Sequence, residues 1–188
     1  MCSNARRMGL VAAAALLAAR ALTGDEPSAA RRPEPASEAD IKVAFLLNFA
    51  RFVKWPAQAT RKDDPIVVGV ADLEPLRGPL SQLEKSTVLG RPFRVRHCRG
   101  TNDVAGCHIL LINIAEEAAR KAMLDSVRNK PVLTVGEAEE FLADGGIIRF
   151  VLRGDRVRLQ ISRPAATAAG LELSARLLEV AEKVVNER

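Results

Sequence analysis

The chain has 188 residues, with 28 basic and 23 acidic side chains, a formal charge of +5 and only 4% aromatics. The length suits one domain with a core of its own. The charges are interspersed, with no basic block and few aromatics among them, so the concentrated basic surface of a nucleic-acid binder is missing.

Arg6 and Arg7 precede an uncharged run from Met8 to Ala19, which Arg20 closes. Ala19-Arg20-Ala21 fits a small-x-small cleavage pattern, and Ser28-Ala29-Ala30 offers a second. This pattern predicts a signal peptide over residues 1–21, cleaved between 21 and 30. The run is shorter than the roughly 20 residues that span a bilayer. Cys2 lies before the run, not at its end, so no lipoprotein anchor is expected. Losing Arg6, Arg7 and Arg20 leaves 25 basic against 23 acidic residues, which removes most of the positive charge. Residues 22–36 are rich in Pro, Ala and charge and read as a disordered leader. The expected product is a periplasmic domain over 37–188.

Ser37-Glu38-Ala39-Asp40 resembles a helix capping box with Asp in the place of Glu. Apolar residues at helical spacing then predict a helix from Ile41 to Trp55, ended by Pro56. Pro65–Ala71 is a nearly unbroken apolar run, as in a strand covered on both faces. Leu76–Lys85 reads as a helix, and Pro92–His97 as a half-covered strand. Cys107–Asn113 is a second buried strand, Ala115–Arg128 a helix, and Pro131–Val135 a third short strand. A short helix is expected over Glu137–Leu142. Gly146–Leu152 and Val157–Ile161 flank the turn Arg153-Gly154-Asp155-Arg156 and predict a hairpin. Pro164 suits a first helical turn, and one long helix is expected over Ala165–Val185. The alternation predicts an α/β fold with a mainly parallel sheet flanked by helices and an antiparallel hairpin at one edge.

Chemical motifs are sparse. There is no phosphate-binding glycine loop, no dinucleotide fingerprint and no G-x-S-x-G elbow. The two histidines adjoin two cysteines, His97-Cys98 and Cys107-His108. An even pair of cysteines in an oxidising compartment reads as a disulfide, Cys98 to Cys107, worth ~2–3 kcal/mol for so short a loop. A zinc site and a Cys–His nucleophile are the other readings. Adjacent strand residues point to opposite faces, which disfavours zinc, and export disfavours a free thiol. Asp103 and Asp155 read as solvated loop acids, and Gly145-Gly146 as backbone freedom before a strand. Asn48 and Trp55 are the candidate partner contacts, set against a buried hydrogen-bonded Asn and a core Trp.

Four segments together resemble the YfiR family of periplasmic proteins: IKVAFLLNFARFVKWP (41–56), CHILLI (107–112), VLTVGEAEEFLADGGIIRFV (132–151) and RLQISRPAATAAGLELSARLLEVA (158–181). The resemblance covers nearly all of residues 40–185. Its most specific elements are helix-Trp-Pro, Cys-His before a buried strand, and Phe-x-x-x-Gly-Gly. The family usually has Asn where this chain has Ser162. The resemblance implies a repressor of an inner-membrane diguanylate cyclase, acting on its periplasmic portion to lower cyclic di-GMP and biofilm formation. It implies no catalysis and no cofactor. The implied partners are that cyclase, an outer-membrane lipoprotein that sequesters the repressor, and a second copy of the chain. Cys107 matches a family cysteine whose redox state is linked to repressor stability. The alternative expectation is a periplasmic small-molecule-binding module feeding another membrane signalling protein.

Overall fold

The computed structural model describes residues 36–60, 64–72 and 74–186. The expected signal peptide, its cleavage sites and the leader up to residue 35 lie outside them.

The capping box is present. Ser37 accepts from the Asp40 amide while Asp40 accepts from the Ser37 amide. It opens helix α1, Glu38–Phe52. This helix ends short of the expected Trp55. Val53 turns extended, and β1, Val53–Lys54, pairs antiparallel with β9, Glu172–Leu173. Strand β2 is Ile66–Ala71, followed by a 3-10 turn at Glu74–Leu76 and α2, Arg77–Leu83. A two-residue strand absent from the sequence reading, β3 at Thr87–Val88, pairs with β4, Arg91–His97. Then come β5 (Ile109–Ile112), α3 (Glu117–Ser126) and β6 (Leu133–Gly136). The expected hairpin is β7, Ile148–Arg153, with β8, Arg156–Ser162.

Two expected helices are corrected. Residues 137–138 are irregular and 139–145 form turns around the fully buried Phe141. The single helix over 165–185 is instead α4 (Arg163–Ala168), β9, α5 (Ala175–Glu179) and β10 (Lys183–Val185). Ser162 caps α4 by accepting from the Ala165 amide, with Pro164 in its first turn. An Asn there would cap equally well, so the departure at Ser162 keeps the local contact. Gly170, at φ +70°, ends that segment in the left-handed region. Ser174 caps α5.

The main sheet has the order β10-β8-β7-β6-β5-β2-β4-β3. Strands β4, β2, β5, β6 and β7 are parallel neighbours, and only β7–β8 and β3–β4 pair antiparallel. Strand β10 pairs parallel outside β8, so the hairpin lies one strand inside the edge. Successive residues of a strand feed opposite faces. Ile109 and Leu111 join the core under α1, α2 and α5, while Leu110 and Ile112 join the core under α3. Phe45, Phe49 and Phe150 stack within 6.1 Å of one another, each such pair adding about 0.5–1.5 kcal/mol beyond area burial.

Candidate functional site

The parallel order places the N-terminal ends of β5, β2 and β4 side by side. His108 and Trp55 meet there, while Cys98 lies at the carboxyl end of β4 and reaches Cys107 across the middle of β2. Cys98 follows β4, its amide donating to the Val70 carbonyl at 2.9 Å. Cys107 precedes β5. Both sulfurs lie over Gly69 of β2, where a Cβ would sit 2.7 Å from Cys107 Sγ and 2.9 Å from Cys98 Sγ. Only a glycine leaves room for the pair.

Both cysteines are buried free thiols. The Cys98–Cys107 hydrogen bond pulls Cys107 down to about 7 against the opposing effect of burial, with Arg96 assisting. The same bond, with burial, pushes Cys98 up. A lowered thiol beside a second sulfur is the arrangement from which exchange or oxidation starts. Among the described residues neither histidine is bonded to a cysteine sulfur. His97 is exposed at the end of β4. Among the described residues no three His, Cys, Asp or Glu side chains gather as metal ligands.

His108 is buried and joins several elements. Its amide donates to the Val67 carbonyl at 2.8 Å, and its carbonyl accepts from Leu133 at 2.8 Å and from Trp55 Nε1 at 3.2 Å. Its Nδ1 accepts from the Val67 amide at 3.1 Å. Arg91 Nη2 stands 3.4 Å from its Nε2 while Arg91 Nε donates to the Asp64 carbonyl at 2.6 Å. Burial, then the Arg91 charge, lowers the His108 pKa, with Asp64 opposing. The Trp55 ring meets the imidazole edge-on at 6.1 Å. Trp55 is thus packed on the core yet half-exposed. Asn48 is half-buried on α1 and makes no side-chain hydrogen bond among the described residues. The hydrogen-bonded role considered for it is not seen.

Asp103 has a local task. Its carboxylate accepts from the Arg99 and Gly100 amides and shapes the loop between the cysteines. Asp155 is exposed in the hairpin turn. The Gly145-Gly146 pair does more than supply freedom: the backbone at Gly146 and at Gly136 lies against the ring of Phe141. Three features carried no sequence signal. Lys42 is buried between Glu38 and Glu137, with 2.7 Å to the latter. Arg120 is buried against Asp144 at 3.1 Å. Asn113, at the carboxyl end of β5, has a buried Oδ1 without a partner among the described residues. A groove of about 610 Å³ runs between α3, the 142–145 turn and α4, lined by Val132, Leu142 and Ala165 among others.

The YfiR/HmsC-like family profile matches residues 39–182, from the first turn of α1 to the residue before β10. The chain belongs to the YfiR/HmsC-like family. That family is one of periplasmic regulators of cyclic di-GMP signalling, generally associated with a membrane diguanylate cyclase, and it is regulatory in character. No curated protein matches the sequence. Among solved structures, the chain is similar to a conserved domain protein from Vibrio cholerae, with a TM-score of 0.53 and 12% identity, over 79% of this chain and 60% of that one. It thus spans about three-fifths of that relative's length, and the likeness is one of fold. An ABC domain in complex with L-Trp from Streptococcus pneumonia aligns over 63% of this chain and 55% of its own, with 12% identity and a TM-score of 0.43.

Two of the segments that resemble YfiR proteins touch each other, and a third is packed on itself. Trp55 of helix-Trp-Pro donates to His108 of Cys-His, and Phe141 of Phe-x-x-x-Gly-Gly packs on Gly146. In this YfiR/HmsC-like chain the motifs are therefore packing devices. Among the described residues no helix is long and apolar enough to cross a membrane.

Proposed function

We propose that this YfiR/HmsC-like protein is a periplasmic repressor that binds the periplasmic portion of an inner-membrane diguanylate cyclase and holds it inactive. The observation that carries the reading is the family match across residues 39–182. In this reading residues 1–21 direct export and are removed, and 22–36 form a leader. The repressor must bind the inactive cyclase better than the active one. A difference of about 3 kcal/mol shifts that equilibrium more than a hundredfold. Such work needs a surface. The half-exposed apolar side chains of α1, with Asn48 and Trp55 beside them, supply one. An outer-membrane lipoprotein that takes up the repressor would release the cyclase, and a second copy of the chain is a further partner in this scheme.

Deleting the gene tests the reading. Cyclic di-GMP and biofilm rise in cells that express the cyclase, and unchanged levels refute it.

The Cys98–Cys107 disulfide belongs to the same proposal. Each thiol gives up its proton, two electrons pass to a disulfide oxidant of the compartment, and one S–S bond forms. Thiol labelling of the unreduced periplasmic protein should find no free sulfur, while labelling after reduction finds two. A small-molecule-binding module is the second reading, favoured by the orphaned Asn113 Oδ1 beside Ala71 at the carboxyl ends of β5 and β2, where such sheets hold ligands. A metabolite that raises the melting temperature would favour it.

A further inference from the structure

His108 has one nitrogen settled and one left over. Nδ1 accepts the Val67 N–H, so it carries no proton. The neutral ring must then hold its proton on Nε2. The nearest group to Nε2 is Arg91 Nη2, at 3.4 Å. A guanidinium has donors only and accepts nothing. Two N–H donors therefore converge on the same point, with no acceptor for either among the described residues. His108 is 8% exposed, and an unpaired donor is costly at such a site. Turning the ring over offers no relief, because a carbon would then face the Val67 amide and orphan it.

An oxygen that accepts from both donors at once would satisfy the pair. The Asp64 carbonyl is already taken by Arg91 Nε. The Asp64 carboxylate is exposed and forms no direct ion pair with Arg91, but its charge reaches both Arg91 and His108. One guanidinium beside a neutral imidazole, with Asp64 within electrostatic reach of both, presents at most a single positive charge. That matches a singly charged planar acid better than a dianionic phosphate, which calls for more donors and more charge. The edge-on Trp55 ring closes one side with an apolar wall.

We propose that Arg91 and His108 form a carboxylate-binding notch at the N-terminal edge of the sheet, walled by Trp55. The carboxylate is an acidic side chain of a protein partner or a free carboxylic acid. In the first case the notch deepens the repressor reading, on which that assignment rests.

Trp55 is the only tryptophan of the chain, so its emission reports on the notch. The purified protein is titrated with sodium acetate at pH 7.5, with sodium chloride holding ionic strength constant. A saturable change is expected, weakened about tenfold or more in Arg91→Met and partly restored in Arg91→Lys. A response that does not saturate, or that survives intact in Arg91→Met, overturns the notch. Should Arg91→Met fail to fold, the His108 Nε2–H resonance of the wild type decides, since it must shift on acetate addition. Inner-membrane vesicles bearing the cyclase separate the two sources. Acetate that displaces the protein assigns the carboxylate to the membrane partner, and binding indifferent to acetate assigns it to a free acid. Vesicles that bind no protein refute the repressor reading alone, and the acetate titration still decides the notch.

Discussion

Phe141 is fully buried between two glycines, and each glycine tests a different part of its surroundings. The three atoms nearest a Cβ added at Gly136 all belong to the ring of Phe141, with Cζ at 2.8 Å and two other ring carbons closer. A Cβ added at Gly146 would meet the ring and also the Phe141 carbonyl oxygen at 2.6 Å. That oxygen is fixed, because it accepts the Gly146 amide at 2.8 Å. A rigid ring in a close-packed core yields little, so Gly136→Ala should cost about 3 kcal/mol, the upper end for overpacking. This is a large share of the 5–15 kcal/mol that holds a domain together. Phe141→Leu removes the offending ring at a cost of about 1–2 kcal/mol. In its presence Gly136→Ala should become nearly neutral, an interaction of about 3 kcal/mol in the direction of rescue. Gly146→Ala should not be rescued, because the carbonyl remains. Urea unfolding followed by Trp55 emission measures the wild type, the three single variants and the two double variants. Additive costs for Gly136→Ala and Phe141→Leu would refute the reasoning, as would equal rescue at Gly146.

Leu89 is 84% exposed and sits at φ +51° before Gly90 at φ +78°, in the β3–β4 turn. Two left-handed residues favour Asn-Gly there, so Leu89→Asn should stabilise by about 1 kcal/mol and raise Tm by ~2–4 °C in a scanning melt. Burial lowers the His108 pKa below its ordinary 6.5. Between the lowered value and 6.5 the unfolded chain binds more protons than the folded one. Stability from this group is therefore complete above pH 6.5 and lost as pH falls through the lowered pKa. Urea midpoints at pH 7.5, 6.5 and 5.5 should decline more in the wild type than in His108→Gln, and parallel curves would contradict this. Arg120→Met strips the partner from Asp144, whose side chain is 7% exposed, and should cost about 3 kcal/mol. Adding Asp144→Leu should recover most of that in a double-mutant cycle, unless Lys121, 3.5 Å from Asp144, already neutralises it.

The strands were legible because burial on both faces leaves unbroken apolar runs, and Val67–Ala71 and Ile109–Ile112 can be read in no other way. The capped starts at Ser37 and Ser162 were legible because the caps are local. The failures are places where a distant contact outranks local pattern. Leu171, Leu173, Leu177 and Leu178 have acceptable helical spacing, yet Leu173 pairs with Val53, and Val184 with Ile161. Gly170 was the available warning. Glu137–Leu142 has helix-forming composition, but burying Phe141 between two glycines overrides it. His108 was weighed in the sequence only together with its neighbour Cys107. Adjacent residues diverge here, so the imidazole faces Arg91, 17 positions earlier, across the start of β2. Nothing in the sequence couples those two residues.

The two edges of the sheet together explain how α1 is held. At the carboxyl edge Lys42 is buried against Glu137, immediately after β6, and against Glu38. A charge pair in such a place adds little net stability over a well-packed apolar pair, but it allows only one placement of the N-terminal half of the helix. At the opposite edge Trp55 donates to the His108 carbonyl, and β1 is tied to β9. The helix is therefore pinned at both ends, and Phe45, Leu47 and Phe52 stay half-exposed between the pins. Side chains already fixed in place lose little entropy when a partner covers them, so more of the contact energy remains to distinguish one partner state from another. A repressor that acts by differential binding depends on that difference. In the proposed function, the rigidity of α1 does the work that a catalytic constellation does in an enzyme.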